Sequence, residues 1–346
     1  MRYSLLSRFQ GTLLTAALGA ELGTYGCLEH PHTKEGTCEL EPEGSSSTPA
    51  SLASWHPGLM SSLKASTPIP WGEAAVQCAR VLVRAGRWNE FEMAAIGVRL
   101  TAGWQATGAI LAQSRSREAL STAEHALAAL PLALFFYEDE AKQRQLLLQT
   151  AKLWQAPPGA EAGLLAVGYA IAQVLKDRLE RLMLVPQTIA YLKQSTANPT
   201  DILLDLIETL EQAQALLCQG SGLYAAIEQL RAKAAYSGNE AMALAFYCFL
   251  STPDELHLSL LRAARFREAA SVVCALTGAL SGARNSLNGL PLAWRIDSPL
   301  PLLWDLSNVE LNRLAAQLFA VWSGLYDPAT PLPTSTIEAA GVIRPR

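Results

Sequence analysis

An all-α fold follows from three features of this chain. Apolar residues recur at helical spacing almost from end to end, and the alternation of a half-buried strand is hard to find. Half of the 346 residues are hydrophobic and only 17% are charged, which suits a large core and excludes disorder for the bulk of the chain. Helix breakers cluster at Pro157-Pro158-Gly159, Ser195–Pro199, Gly220–Gly222 and Ser251-Thr252-Pro253, where connections between helices belong.

The first helix is expected over 4–22, in a run rich in Leu, Ala, Gly and Thr. Residues 26–70 are dense in Ser, Thr, Pro and Gly, including E-P-E-G-S-S-S-T-P-A, and read as a polar insertion or flexible loop. Helical periodicity resumes over 72–86, 89–108, 116–135 and 140–154, up to the Pro-Pro-Gly break. Two more helices, 160–178 and 183–193, lead to the break before Pro199. The helix at 200–217 carries Asp201, Asp205 and Glu208 along one face, the pattern of a wet side. Helices over 222–235 and 239–250 follow. Thr252-Pro253-Asp254-Glu255 then suits the start of a helix over 253–263, with proline where no N–H is needed and acids in the first turn. Helices at 267–283 and 308–324 complete the series. No fixed-period repeat is present, against a helical solenoid. One all-α domain is expected over 1–326, with 327–346 as an extended tail.

Composition narrows the function classes. A net charge of −4 with no basic block argues against nucleic acid as a partner. No run reaches the ~18 apolar residues of a membrane span; A-L-A-A-L-P-L-A-L-F-F-Y (126–137) stops short and contains a proline. The segment between Arg8 and Ala20 resembles a leader only briefly, because its apolar run is short and broken by glycines. Six cysteines (27, 38, 78, 218, 248, 274) are scattered, four of them in apolar helical patterns, so a reducing, cytoplasmic setting is expected.

Local chemistry candidates are few. Cys27, His30, His32 and Cys38 form C-x2-H-x-H-x5-C in the polar insertion, with the right donor types for zinc but the spacing of no common zinc module. His125 follows Glu124 on a helix and reads as a surface histidine, since no nucleophile signature such as G-x-S-x-G accompanies it. His257 reads as structural. Gly220-Ser221-Gly222 lacks the strand and the G-K-[ST] of a phosphate loop. Glu138, Asp139 and Glu140 read as a solvated helix start, and Trp71, Trp88, Trp104 and Trp154 as core or interface anchors.

Two helices are short of bulk. In 270–283, Gly278 and Gly282 fall four apart among alanines, serine and threonine. Glycine inside a helix costs roughly 1 kcal/mol relative to alanine, so close approach of another helix is the plainest reason for it. Residues 11–23, G-T-L-L-T-A-A-L-G-A-E-L-G, repeat the pattern. The two helices are expected to pack together in the middle of the domain.

Gly11–Gly23 resembles the opening helix G-x-L-L-G-x-A-x-G-D-A-L-G of the ADP-ribosylglycohydrolases, including the dinitrogenase-reductase-activating glycohydrolase type. Ala126–Tyr137 with the following D-E-A-K-Q-R-Q-L-L-L-Q-T-A resembles that family's central apolar helix and next element. Gly238-Asn239-Glu240 through Leu250 resembles the helix before its last motif. Ala263–Ala283 with N-G-L-P-L-A-W resembles its closing run, D-T-D-T-I-A-A-I-A-G-A-I-A-G-A followed by a turn, I-P and W.

The resemblance implies an all-α fold and hydrolysis of ADP-ribosyl bonds at two divalent cations, usually Mg²⁺. Such hard cations take oxygen ligands, mostly carboxylates, which the family supplies from T-D-D-T early in the chain and D-x-D-[ST] late in it. In a gap-free match the two late aspartates fall on Ala269 and Ser271, and the opening helix's Asp falls on Ala20. Glu21 is adjacent but lies about 100° around the helix. The T-D-D-T region matches near Thr67–Ala75, where Glu73 is the only acid. Glu240 and Glu268 remain as isolated candidates.

The expectation is a pseudoenzyme: a family frame whose metal motifs have degenerated, needing no cofactor. It would serve as a binding, regulatory or structural module toward an ADP-ribose-like or nucleotide ligand, or toward a protein partner. The alternatives are an active hydrolase with a rebuilt site and an unrelated all-helical scaffold. The hydrolase would require at least three carboxylates converging in a cleft. The unrelated scaffold would lack contact between 11–23 and 270–283.

Overall fold

The computed structural model describes residues 3–25, 69–111, 117–157, 159–195, 201–233, 239–266, 269–291, 294 and 303–325. Every regular element among them is a helix, so the all-α expectation holds. In chain order they are α1 (Leu5–Tyr25), α2 (Pro70–Ala85), α3 (Glu90–Leu111), α4 (Arg117–Ala128), α5 (Leu130–Phe135), α6 (Glu140–Leu153) and α7 (Ala160–Leu175). Then come α8 (Leu184–Ser195), α9 (Asp201–Gln219), α10 (Leu223–Lys233), α11 (Asn239–Ser251), α12 (Leu256–Ala263), α13 (Ala270–Asn285) and α14 (Asn308–Trp322). The polar insertion expected at 26–70 lies almost wholly outside the described residues, and so does the 327–346 tail.

Glycine brings α1 and α13 into backbone contact, and the rest assembles on that pair. The helices run antiparallel: Gly11 meets Gly282 and Ser286, Thr15 meets Gly278, Gly19 meets Cys274 and Ala275, and Gly23 meets Ala270 and Ser271. One contact falls on each turn, four residues apart, so small residues on one face of each helix form a continuous seam. A Cβ at Gly11 would stand 2.7 Å from the carbonyl carbon of Ser286, too close for any side chain. At Gly19, Gly23 and Gly278 the added atom would overlap backbone of the facing helix. The Thr15 hydroxyl lies 2.6 Å from the carbonyl oxygen of Gly11 and 2.5 Å from that of Gly278, so its proton lies between acceptors of the two helices.

At the Gly11 end the pair is locked by Arg8, which is 1% exposed. Its guanidinium donates to Ala283 O (2.5 Å), Leu175 O (3.2 Å), Val174 O and the Asp177 carboxylate (3.0 Å). These carbonyls belong to the last turns of α7 and α13, the negative ends of two helix dipoles. Burial lowers the guanidinium below its ordinary pKa, and Asp177 offsets part of that effect. Three helices are thereby tied at one point.

Around this centre, α13 also packs on α4, α7, α11 and α12, and nearly every residue of α13 is buried. On one side α14 covers α1, where Phe9 meets Phe319 and Trp322 at ring-centroid distances of 5.5 and 5.7 Å. Helix α2 lies between α14 and α3, and Trp154 closes α6 onto α3 by donating from Nε1 to Met93 O at 2.9 Å. On the other side α8, α9 and α10 pack beyond α7 and α11.

Three local expectations are corrected. The helix expected over 116–135 is two helices, because Pro131 has no N–H and a new helix begins around it after Ala129. The helix expected from 253 begins at Leu256. Pro253 and Asp254 form a turn instead, held by Asn285 Nδ2 donating to Pro253 O at 2.9 Å and by Arg284 pairing with Asp254 at 3.2 Å. His125, expected on the surface, is buried, because α4 packs on α2, α7 and α11.

Gly278→Val should cost about 3 kcal/mol or more, since the overpacked atoms are backbone and cannot yield. Gly222→Ala, with nothing within 4 Å of the new methyl group, should be neutral or mildly stabilising. Urea or guanidinium unfolding of both variants checks the contrast.

Candidate functional site

The antiparallel seam puts the last turn of α1 beside the first turn of α13. Ala20, Gly23 and Thr24 therefore sit at the same end of the pair as Ala269, Ala270 and Ser271. Ala20 is fully buried, Ala269 nearly so, and Ser271 is half-buried. Helix α13 starts here with no acid in its first turn and no side-chain cap.

A short strap crosses this end. Leu303 accepts a hydrogen bond from Ile69 N at 2.9 Å and donates its own N–H to Glu21 Oε1 at 3.2 Å. Trp304 then lies edge-on to Trp71, with centroids 5.9 Å apart, and its ring occupies the space a side chain at Gly72 would need. The strap thus joins the end of α1 to the residue that leads into α2. Helix α11 begins at this same end: it packs along α13, and the turn after its C-terminus is tied to Arg284 and Asn285 at the C-terminus of α13.

Glu21 is the acid that the sequence reading set aside. Its side chain turns away from the α13 seam, is 3% exposed, and accepts from the Leu303 amide. Burial raises its pKa to about 8, and the single backbone hydrogen bond offsets only part of this. At neutral pH the carboxyl is mostly protonated. The apolar turns on both sides of it gave a signal that it would be buried, but Leu303, 282 residues away, could not be read from local pattern.

Glu73 and Glu240 sit in the first turns of α2 and α11, helices that also begin at this end, and the remaining candidates lie outside the described residues. Glu73 is exposed on the first turn of α2. Glu240 is half-buried in the first turn of α11, next to Asn239, whose amide donates to Asp205 at 2.6 Å. Glu268 and the Cys27, His30, His32 and Cys38 cluster lie outside the described residues. Among the described residues no group of three or more His, Cys, Asp or Glu side chains could hold a metal ion. Asp139 caps α6 by accepting from Lys142 N at 2.9 Å, and Gly220, with φ of 66°, ends α9 in a left-handed turn.

A family model described as ADP-ribosylglycohydrolase matches residues 1–327. The chain belongs to the ADP-ribosylglycohydrolase family. No curated protein matches it. Membership overturns the reading of an unrelated helical scaffold, and it agrees with the contact between 11–23 and 270–283 on which that reading was to be judged. ADP-ribosylglycohydrolases hydrolyse ADP-ribosyl bonds, and positions 20, 269 and 271, which the resemblance matches to family acids, lie at the strap end of the α1/α13 pair.

The donors described at that end do not fit two Mg²⁺ ions. Hard divalent cations need several anionic oxygens each. Ala20 and Ala269 have no donor atom, Ser271 offers one neutral hydroxyl, the Glu21 carboxyl is buried and held by Leu303, and Glu73 and Glu240 belong to no group of three donors among the described residues. No described helix is long and apolar enough to cross a membrane.

Glu21 makes a pH prediction with a definite sign. The unfolded carboxyl titrates near its ordinary value of 4.5, the folded one near 8. Below the lower value both states are protonated and the group is neutral toward stability. Between the two, the unfolded state releases a proton that the folded state keeps, so stability falls by up to about 1.4 kcal/mol per pH unit and then levels off. Glu21→Gln should therefore match the wild type near pH 4 and exceed it in stability by several kcal/mol at pH 8. Denaturant unfolding across that pH range measures the difference.

Proposed function

We propose that this ADP-ribosylglycohydrolase-fold protein has lost the binuclear metal site and acts as a non-catalytic binding, regulatory or structural module. The observation that carries the reading is the intact α1/α13 seam, which places Ala20, Ala269 and Ser271 together where the family resemblance places acids. A two-metal hydrolase needs its cations to activate water and orient the ribose. Without carboxylates at those positions the affinity for Mg²⁺ disappears, and the water has no activator. The neutral Glu21, tied to the strap, is not a replacement ligand. The ligand proposed is ADP-ribose-like or a nucleotide, or else a protein partner; neither a metal nor another cofactor is required for binding it. A reducing, cytoplasmic location fits the free cysteines Cys78, Cys218, Cys248 and Cys274.

The test is release of ADP-ribose from ADP-ribosylated protein or small-molecule substrates with and without millimolar Mg²⁺, alongside calorimetric titration of Mg²⁺. No metal-dependent release and no saturable Mg²⁺ binding are expected. Metal-dependent turnover would overturn the proposal in favour of a rebuilt site drawing on Glu73, Glu240 or Glu268, and alanine variants of those three would then identify the donors.

A further inference from the structure

Helix α3 is apolar on two opposite faces, and the described residues cover only one of them. Met93, Ile96 and Leu100 are buried, and Gly97 fits against Trp154. On the opposite side Phe91 is 83% exposed and Val98 71%, with Ala95 and Ala102 exposed between and beyond them. At 100° per residue these four form one narrow outward stripe, centred half a turn from the core face. The outward face of a surface helix is normally polar.

We propose that this stripe is a self-association surface on which a second copy of the chain packs, α3 against α3 and antiparallel. Three properties fit that occupant. The stripe's spacing of four, three and four is the seam of a two-helix coil. It also alternates large and small residues. A two-fold axis passing between Ile96 and Gly97 sets Phe91 over Ala102 of the second copy and Val98 against its Ala95, so each bulky side chain meets a small one. Finally, Glu92 and Arg99 lie seven apart on the same edge with opposite charges, and the antiparallel pairing sets each Glu92 beside Arg99 of the other copy. Glu92 also pairs with Arg84 of its own chain, and a carboxylate has acceptor sites for both. One helical stripe is smaller than the ~1,200–2,000 Å² of a standard stable interface, so the dimer is weak and concentration-dependent.

Sedimentation velocity on the full chain, from low-micromolar to near-millimolar concentration at low salt, tests the surface. The wild type should shift from monomer toward dimer. Phe91→Ser and Val98→Ser should each weaken association at least about tenfold while leaving the melting temperature unchanged or slightly raised, since both side chains are exposed in the monomer. Glu92→Arg and Arg99→Glu should each weaken it, and E92R combined with R99E should restore it, a rescue that mere structural damage would not produce. The proposal is overturned by a wild type that stays monomeric throughout, which would leave the stripe to a segment of the same chain. It is equally overturned by a dimer indifferent to Phe91 and Val98, or by a double charge reversal that fails to recover association.

Discussion

Backbone meeting backbone along α1 and α13 is the constraint from which the remaining structure follows. Helices carrying ordinary side chains keep their axes about 8–10 Å apart. Here glycine or another small residue on each turn removes the spacers, and the Thr15 hydroxyl takes part in the contact by lying between carbonyls of both helices. The seam holds its register against small slips, because turning either helix by a residue would drive leucine or valine into the opposing backbone. That register fixes which ends coincide, and the helices packed on α13 inherit their positions from it.

The two ends of the seam are chemically unlike. At one, Arg8 gathers carbonyls from the last turns of α7 and α13, so a buried charge is matched by acceptors and by Asp177. At the other, the positions aligned with family acids are alanine and serine, and the neighbouring glutamate is sequestered under the Leu303 strap. The chain has kept the steric part of a family architecture, where any added atom would be costly. The electrostatic part lacks carboxylates at those positions, and their absence leaves the packing undisturbed: alanine fills the space beside a helix backbone at least as well as aspartate.

Much of the frame was legible because it rests on local rules. Helical period, breaker clusters and the unusual run of small residues in 11–23 and 270–283 pointed to an all-α domain with those two helices in contact. The misses have a common origin. The break at Ala129 is hidden inside a continuous apolar run, and it comes from Pro131, whose missing N–H makes a new helix begin. Pro253 and Asp254 suit a helix start by their local chemistry, yet Arg284 and Asn285 hold them in a turn. Buried His125 looked like a surface residue because a polar side chain says little about how many helices cover its face.

Sequence chemistry by itself determined the helical class, the small-residue seam and the missing acids at 20, 269 and 271, since each depends on the size or charge of residues at known spacing. Tertiary structure decided where Glu21 points, which carbonyls Arg8 satisfies, and which of the two apolar faces of α3 is covered. Those outcomes join residues more than 160 positions apart or depend on which helices pack on a face, and periodicity along one helix carries no information about either.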